Sequence, residues 1–139
     1  MAHPSLPTHA LLAQQAAWLA SARARLLRRV HVARRKRVLD LACASGAVTG
    51  ELVRRSGGMV VALDRSLAAL STGARPFAGA PCLCADAARL PFRNATFDLV
   101  FCQFALLWLD AAAVLREVCR VLSPGGVLVT LDMFHYCLI

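Results

Sequence analysis

The sequence predicts a three-layer α/β fold: a doubly wound, mainly parallel sheet of about five strands with an N-terminal helix. Two observations predict the layers. From residue 37 onward, predicted strands alternate with helices, and the strands are apolar nearly throughout, as in sheets covered on both faces. A third observation is that aspartates close three successive strands, Asp40, Asp64 and Asp86. Right-handed crossovers bring these strand ends to one edge of the sheet, so we expect the three carboxylates to meet there.

Length and composition favour one domain without a membrane span. The chain has 139 residues, of which 58% are hydrophobic. No uninterrupted apolar run approaches the roughly 18 residues that a spanning helix needs. The most apolar stretch, residues 97–109, contains Asp98 and Gln103 and is predicted to be a buried strand and the loop after it.

The net charge of +8 comes from the first part of the chain, because residues 1–39 hold eight basic residues and no acid. We predict a basic helical leader, residues 1–36, with a helix over residues 9–32. This leader is a targeting signal, a contact for an anionic surface, or a solvated helix face. A helix packed over the mouth of the domain and a mitochondrial transit peptide both fit its composition. Trp18 is either part of a lid over the substrate or the apolar anchor of the helix.

The core, residues 37–139, is predicted element by element from apolar periodicity and from capping and breaking residues. Ser66 and Asp110 are predicted helix caps, and residues 123–126, SPGG, end the last helix. That helix is expected to bury Leu115, Val118, Cys119 and Leu122. The predicted strands are 37–41, 59–63, 81–85, 97–103 and 127–131, and the predicted helices are 47–55, 67–73 and 111–122.

The stretch RVLDLACASG, residues 37–46, joins the first strand to the first core helix through a turn of small residues. Such a turn lies where open α/β sheets bind ligands, since small residues let the backbone approach the ligand closely. Asp40 is costly to bury there unless a ligand or nearby backbone amides donate hydrogen bonds to it.

Asp64 lies 24 residues after Asp40, at the end of the second strand. An acid at this place in a βαβ unit binds the hydroxyls of a ribose, because two carboxylate oxygens match a diol. A single aspartate at a strand end is as often a helix cap or a solvated turn. Three in register favour a nucleotide site.

The six cysteines, Cys43, Cys82, Cys84, Cys102, Cys119 and Cys137, contain no CxxC pair. A zinc site or a disulfide framework needs closer, loop-borne spacing. We therefore predict no metal, and buried, reduced thiols in a cytosolic or matrix compartment.

Four segments together resemble class I S-adenosylmethionine-dependent methyltransferases, particularly the type 11 group of small-substrate enzymes. They are VLDLACASG, VVALDRS, ADAARLPFRNATFDLVFCQFALLWL and REVCRVLSPGGVLV. The resemblance runs from about Arg37 to Leu131, nearly everything after the leader. It implies a Rossmann-like fold and S-adenosyl-L-methionine as the cofactor.

The resemblance also implies a role for each matching residue. The turn would surround the methionine part of the cofactor, and the acid after the second strand would take the ribose hydroxyls. The acid after the third strand would accept from the adenine amino group. Residues after the fourth strand would border the sulfonium and the acceptor, whereas Asp98, at the far end of that strand, would be structural. The implied cofactor-binding residues are Asp40, Ala42, Cys43, Ala44, Gly46, Asp64, Arg65, Ser66, Asp86, Ala87, Leu90, Gln103 and Phe104.

The sequence departs from the family pattern in two places. Ala42 and Ala44 stand where the family usually has glycines. We expect a mild effect, weaker cofactor affinity, because alanine is compatible with right-handed torsions. Only residues 132–139 follow the fifth strand, where the family continues with a helix and two strands, so the chain is predicted to be truncated. The fifth strand would then be an apolar edge, covered by the final residues 133–139 or paired with a second copy.

The predicted activity is in-line methyl transfer from the sulfonium to a small-molecule acceptor. No residue identifies itself as a base; His31, His135 and Tyr136 are candidates by type only. A catalytically silent remnant or partner subunit is the alternative. An RNA methyltransferase that uses the arginine-rich leader is disfavoured and left open, and a nicotinamide-dependent oxidoreductase fits the later motifs poorly. The expected location is the cytoplasm, or the mitochondrial matrix in a eukaryote.

Overall fold

The computed structural model describes residues 8–72 and 76–132. Its centre is a five-stranded sheet in the order β3-β2-β1-β4-β5, with every pair parallel. This confirms the predicted α/β class. The strands are β1 Arg37–Leu41, β2 Met59–Asp64, β3 Cys82–Cys84, β4 Phe97–Gln103 and β5 Leu122–Leu131. The helices are α1 His9–Trp18, α2 Ala20–Arg29, α3 Thr49–Arg55, α4 Leu67–Ser71 and α5 Ala111–Val121, and short 3₁₀ segments cover Val32–Arg34, Pro76–Gly79 and Leu106–Trp108.

The core has two parts, one on each face of the sheet. Because successive strand residues point to opposite faces, β1 sends Leu39 and Leu41 to the side of α5 and Val38 to the side of α2 and α3. Asp40 shares the face of Val38. The strand pattern therefore directs this carboxylate toward the beginning of α3.

Helix α5 buries a different face from the predicted one. Val114, Val118 and Val121 are at most 1% exposed, whereas Leu115 is 38% exposed and Cys119 is also exposed. The buried positions recur at i, i+4 and i+7 and so form one stripe along the helix. Of the residues that were expected to be buried, this stripe contains only Val118. The predicted cap is confirmed, because the Asp110 side chain accepts from the Ala113 amide.

The leader folds as two helices rather than one, with a break at Leu19 (φ −94°, ψ 3°). Ala16, Leu27 and Val32 belong to the core cluster on the α3 face of the sheet, so the leader packs against that face. Trp18 is 67% exposed, and the prediction that it is the apolar anchor is wrong. The anchoring side chains are smaller aliphatic ones.

Strand β5 begins earlier than predicted. Phe97 pairs with Leu122, but the next registered pair is Leu99 with Val127, so residues 123–126 form an irregularity within the strand. The Ser123 hydroxyl donates to the Phe97 carbonyl, and Gly125 takes a φ of +76°, which glycine adopts at little cost. The residues that were predicted to end the last helix therefore form a bulge within β5, and β5 pairs with β4 on both sides of it.

Asp98 has the structural role expected of it. Its carboxylate oxygens accept from the amides of Lys36 and Arg37 at 2.8 and 3.0 Å. Arg35 donates to the Asp98 carbonyl at 3.1 Å. These bonds tie the segment before β1 to β4 at the amino edge of the sheet, opposite the ends that carry Asp40 and Asp64.

The five cysteines in the described residues are free, but the expectation that they are buried is wrong for three of them. Cys82, Cys84 and Cys119 are exposed, Cys43 is half-buried and only Cys102 is fully buried. Strand β3 lies at the edge of the sheet with all three residues exposed, which explains two of the three. Cys137, His135 and Tyr136 lie outside the described residues, as does the expected cover of β5 by residues 133–139.

Helices with the length and apolarity to cross a bilayer are absent from residues 8–72 and 76–132.

Candidate functional site

Asp40, at the end of β1, is satisfied by a side chain rather than by backbone amides. The Thr49 hydroxyl, at the beginning of α3, donates to its Oδ2 at 2.5 Å. Asp40 is only 3% exposed. Burial raises the pKa of Asp40 to about 7, against the lowering effect of the Thr49 hydrogen bond. Thr49, nine residues later, is therefore a partner of Asp40 that the sequence reasoning did not anticipate.

Asp64, at the end of β2, holds the turn that follows β1. Its Oδ2 accepts from the Ala44 amide and its Oδ1 from the Ser66 amide, both at 2.8 Å. The Cys43 amide donates to the Leu63 carbonyl at 3.0 Å in the same place. The structure therefore brings two predicted site segments, the small-residue turn and the end of β2, into direct contact.

The turn uses left-handed backbone at three positions, where φ is +55° at Ala42, +49° at Ala44 and +81° at Gly46. The expectation that alanine is mild because it keeps right-handed torsions is therefore wrong. An alanine in this region costs about 1–2 kcal/mol through the contact of its Cβ with the following carbonyl. Glycine, the usual residue at the first two positions in the resembled family, avoids that cost.

Gly46 is covered by an aromatic ring that the sequence did not predict here. A Cβ at Gly46 would lie 2.5 Å from two ring carbons of Phe77. Phe77 is 3% exposed and itself has a φ of +61°. The ring forms an apolar wall on one side of the turn. No periodic signal marks Phe77, because it lies in an irregular segment.

Asp86 and the two predicted pocket residues follow β3. Asp86 is exposed, and its Oδ1 accepts from the Ala88 amide at 2.8 Å. Ala87 and Leu90 are 6% and 5% exposed and belong to the core cluster on the α5 face. Since Cys84 pairs with Asp64, Asp86 lies just beyond the end of the neighbouring strand. Arg65, the remaining predicted residue of this region, is exposed.

Gln103 is the last residue of β4, and Phe104 follows it. Gln103 contacts the leader. The Gln103 Oε1 accepts from Arg23 of α2 at 3.2 Å. Arg23 is 4% exposed and also donates to Glu51 at 2.7 Å and to the Ala16 carbonyl at 2.9 Å. Phe104 has a φ of +55°, and its amide donates to the Leu131 carbonyl.

A second contact of the leader reaches the turn directly. The His9 Nδ1 and the Ser45 Oγ are 2.8 Å apart. Sequence reasoning missed Arg23, Glu51, His9 and Ser45 as partners. The one available signal was that Glu51 is the first acid after Asp40 in a chain whose leader is purely basic.

His31 is excluded as the base by its place in the fold. It lies in the turn between α2 and the 3₁₀ segment Val32–Arg34, shortly before β1 begins, at the edge opposite Asp40 and Asp64. Burial raises the pKa of the Cys43 thiol, in the turn after β1, well above its usual range. Within the described residues, no three or more His, Cys, Asp or Glu side chains could together hold a metal ion.

A family model described as a methyltransferase domain matches residues 39–130. This chain belongs to that family. The match covers β1 through nearly all of β5, and so includes the turn and all three strand-end aspartates. It confirms the resemblance that the sequence motifs predicted.

Named relatives point to the same class. The demethylmenaquinone methyltransferase of Corynebacterium urealyticum is 44% identical over 105 residues, which are 75% of this chain and 44% of the relative. That of Mycolicibacterium paratuberculosis is 42% identical over 98 residues, 70% of this chain and 41% of the relative. This methyltransferase-domain chain therefore spans less than half the length of these curated relatives.

Solved structures share the fold. The PH0226 protein of Pyrococcus horikoshii has a TM-score of 0.71 and 28% identity, covering 82% of this chain and 56% of that one. An S-adenosylmethionine dependent methyltransferase of Mesorhizobium loti has a TM-score of 0.66 and 30% identity, covering 78% and 52%. The structural similarity extends beyond the turn that follows β1 to most of the chain.

Proposed function

We propose that this chain binds S-adenosyl-L-methionine and transfers its methyl group to a small-molecule acceptor. One observation carries the proposal: Asp40, Asp64 and Asp86 close three neighbouring strands at one edge, around a turn with left-handed backbone. The bound cofactor would supply a methyl group already activated on a sulfonium. The chain then has to bind, align and desolvate, and needs little catalytic chemistry of its own.

The acids retain the acceptor capacity that this cofactor requires. Each Asp64 oxygen accepts one amide, and a carboxylate oxygen can accept two hydrogen bonds. A ribose diol therefore fits without breaking the contacts that hold the turn. Asp86 is exposed with one oxygen bound to Ala88, which leaves the other for an adenine amino group. Buried Ala87 and Leu90 suit the apolar faces of the adenine ring.

The remaining roles follow the order of the elements along the edge. The turn lines the methionine part, Arg65 and Ser66 lie beside the ribose, and Gln103 and Phe104 border the sulfonium and the acceptor. The proposed cofactor-binding set is therefore Asp40, Ala42, Cys43, Ala44, Gly46, Asp64, Arg65, Ser66, Asp86, Ala87, Leu90, Gln103 and Phe104.

Demethylmenaquinone is the acceptor to test first, because the relatives named above act on it by name. Support is limited to the shared region, which is less than half of those proteins. We include a cytoplasmic location in the proposal, with the mitochondrial matrix as the alternative in a eukaryote. The five described cysteines form no disulfide, which supports a reducing compartment.

A catalytically silent remnant or partner subunit is the second candidate. One observation favours it: the strained alanines at 42 and 44. Both candidates keep the fold, so binding and turnover have to be measured separately.

Isothermal titration calorimetry with S-adenosylmethionine tests the binding step. We expect saturable binding by folded protein, and then transfer of radiolabelled methyl to demethylmenaquinone or another small acceptor. Binding without transfer to any acceptor would favour the silent remnant. A cooperatively folded chain that neither releases heat nor gains thermal stability with the cofactor would refute the proposed function.

Asp86→Asn tests the site with little risk to the fold, because Asp86 is exposed. We expect about a tenfold weaker affinity for S-adenosylmethionine, because one charge-assisted hydrogen bond is lost. Asp98→Asn is the matched control, since the same substitution at the amino edge should alter stability and leave affinity unchanged. Equal affinity in the wild type and Asp86→Asn would remove Asp86 from the site.

A further inference from the structure

One side of the leader carries exposed residues that neither the core nor the proposed cofactor site uses. Leu11 and Trp18 are spaced i, i+7 on α1, and Arg25 and Arg29 are spaced i, i+4 on α2, so each pair shares one side of its own helix. Leu11 is 43% and Trp18 67% exposed, and both arginines are exposed. We call these four residues the outer face.

The opposite side of the same helices is fixed to the domain. Ala16 and Leu27 are buried in the core, and the Arg23 guanidinium connects α2 to Glu51 of α3 and to Gln103 of β4. His9 is held at Ser45. The outer face is therefore presented by an anchored pair of helices, and a partner would not have to order them.

The charge around the outer face is uncompensated. No acid occurs in residues 1–39, and the ion pairs found within the described ranges involve Arg23, Arg55 and Arg120 but not Arg25, Arg28, Arg29 or Arg34. A shallow groove of about 470 Å³ opens on this surface, lined by Ala22, Arg25, Leu26 and Arg29. Its two arginines suit a phosphate group.

We propose that the outer face docks this protein on an anionic lipid bilayer. Arginines bind the headgroup phosphates, the Trp18 indole lies at the headgroup level, and Leu11 enters the acyl boundary. An arginine-rich surface would also attract nucleic acid, but proteins that bind single strands stack successive bases on several aromatic rings. Trp18 is the only Phe, Tyr or Trp in residues 1–39, and Leu11 has no use in such a complex.

Vesicle co-sedimentation of the full chain tests the charge requirement. We expect binding to vesicles of 30% phosphatidylglycerol in phosphatidylcholine, and weak binding to phosphatidylcholine alone. Arg25→Gln with Arg29→Gln should weaken the first by about 30-fold. The matched control is Arg89→Gln with Arg93→Gln, two exposed arginines in the segment between β3 and β4, which removes the same charge and should change binding little. Equal losses in both variants would overturn a localised docking face.

The two tryptophans allow the orientation to be measured. Trp108 is 79% exposed and lies after β4, far from the leader in sequence. The Trp108→Phe variant leaves Trp18 as the only tryptophan, and brominated phosphatidylglycerol should quench its fluorescence. The Trp18→Phe variant should be quenched much less. Stronger quenching of Trp108 than of Trp18 would overturn the proposal.

Vesicle binding requires neither cofactor nor acceptor, so this inference can fail or hold independently of the proposed methyl transfer. Folded protein that stays in solution with anionic vesicles at low salt would refute it. So would tighter binding to a single-stranded RNA oligonucleotide than to vesicles in the same buffer, because the arginines would then serve a nucleic acid.

Discussion

Ala42 and Ala44 hold the turn after β1 in a conformation that alanine adopts only at a cost. Their φ values of +55° and +49° lie in the left-handed region, although below the +81° of Gly46 in the same turn. The turn nevertheless forms, because the Ala44 amide donates to Asp64 and the Cys43 amide donates to Leu63. The strain is therefore offset by bonds to β2 rather than relieved locally.

Glycine at these positions should stabilise the protein. We expect Ala42→Gly and Ala44→Gly each to raise the free energy of unfolding by about 0.5–1 kcal/mol, since the relief of left-handed strain exceeds the added entropy of the unfolded chain. Urea unfolding of each variant measures this.

Gly46→Ala provides the opposite control in the same turn. It should destabilise the fold by about 2 kcal/mol or more, because φ is +81° and the new Cβ would meet the ring of Phe77. If glycine at 42 or 44 lowers stability, the left-handed description of those residues is wrong.

Asp40 should make stability depend on pH. Its folded pKa of about 7 lies above the 3.8 of an ordinary aspartate in the unfolded chain, so the folded state holds a proton that the unfolded state releases between these values. Stability from this group is therefore full below pH 4 and is lost as the pH rises toward 7. The difference in unfolding free energy between the wild type and Asp40→Asn should fall by about 2 kcal/mol from pH 5 to pH 8. A difference that stays constant over this range would contradict the raised pKa.

At the level of elements, the Arg23–Glu51 pair joins α2 to α3. Arg23 is almost fully buried, and its three acceptors come from α1, α3 and β4. Although burial opposes it, hydrogen bonds from Arg55 and Arg23 hold the pKa of Glu51 below its usual range. The pair thus fixes the leader beside the end of β4, where the acceptor is proposed to bind.

Glu51→Gln should loosen the leader, because it leaves the Arg23 charge buried without a counterion. We expect a loss of about 3 kcal/mol and faster amide hydrogen exchange in α1 and α2. Glu117→Gln is the control: its pair with Arg120 has the same 2.7 Å distance, but the Arg120 side chain is far more exposed than that of Arg23, so we expect a smaller loss. Similar losses in both variants would show that the buried pair has no special role.

At the level of the whole molecule, the two outermost strands of the sheet, β3 and β5, differ in length. β3 is a three-residue edge, whereas β5 runs for ten residues from Leu122 to Leu131. A short edge offers few free backbone groups, and a long one can pair with another strand. Self-association through β5, predicted from the sequence, is still a prediction.

We expect sedimentation velocity to show concentration-dependent association of the full chain. Thr130→Lys adds a charge at an exposed position of β5 and should reduce that association. Ala112→Lys adds the same charge at an exposed position of α5 and should not. A chain that is monomeric at every concentration, or equal effects of the two lysines, would exclude the β5 edge.

The sequence by itself determined the fold class, the family and, to within a residue, the bounds of every strand except β5, which begins at Leu122 rather than at residue 127. Apolar strands alternating with helices are a local and repeated signal, and aspartates mark the ends of β1, β2 and β3. For that reason the β2 and β4 predictions agree closely with the structure, and the Ser66 and Asp110 caps are confirmed.

Only the tertiary structure decided what the individual side chains and torsions do. The left-handed turn at Ala42, the Thr49 hydroxyl on Asp40 and the buried Arg23 depend on residues that are distant in sequence or on backbone torsions that alanine does not favour by itself. Trp18 shows the same limit, since an indole in an amphipathic helix is expected inside until the orientation of the helix is known. Periodicity specifies which residues form an element, whereas packing against the other elements selects the face that is buried.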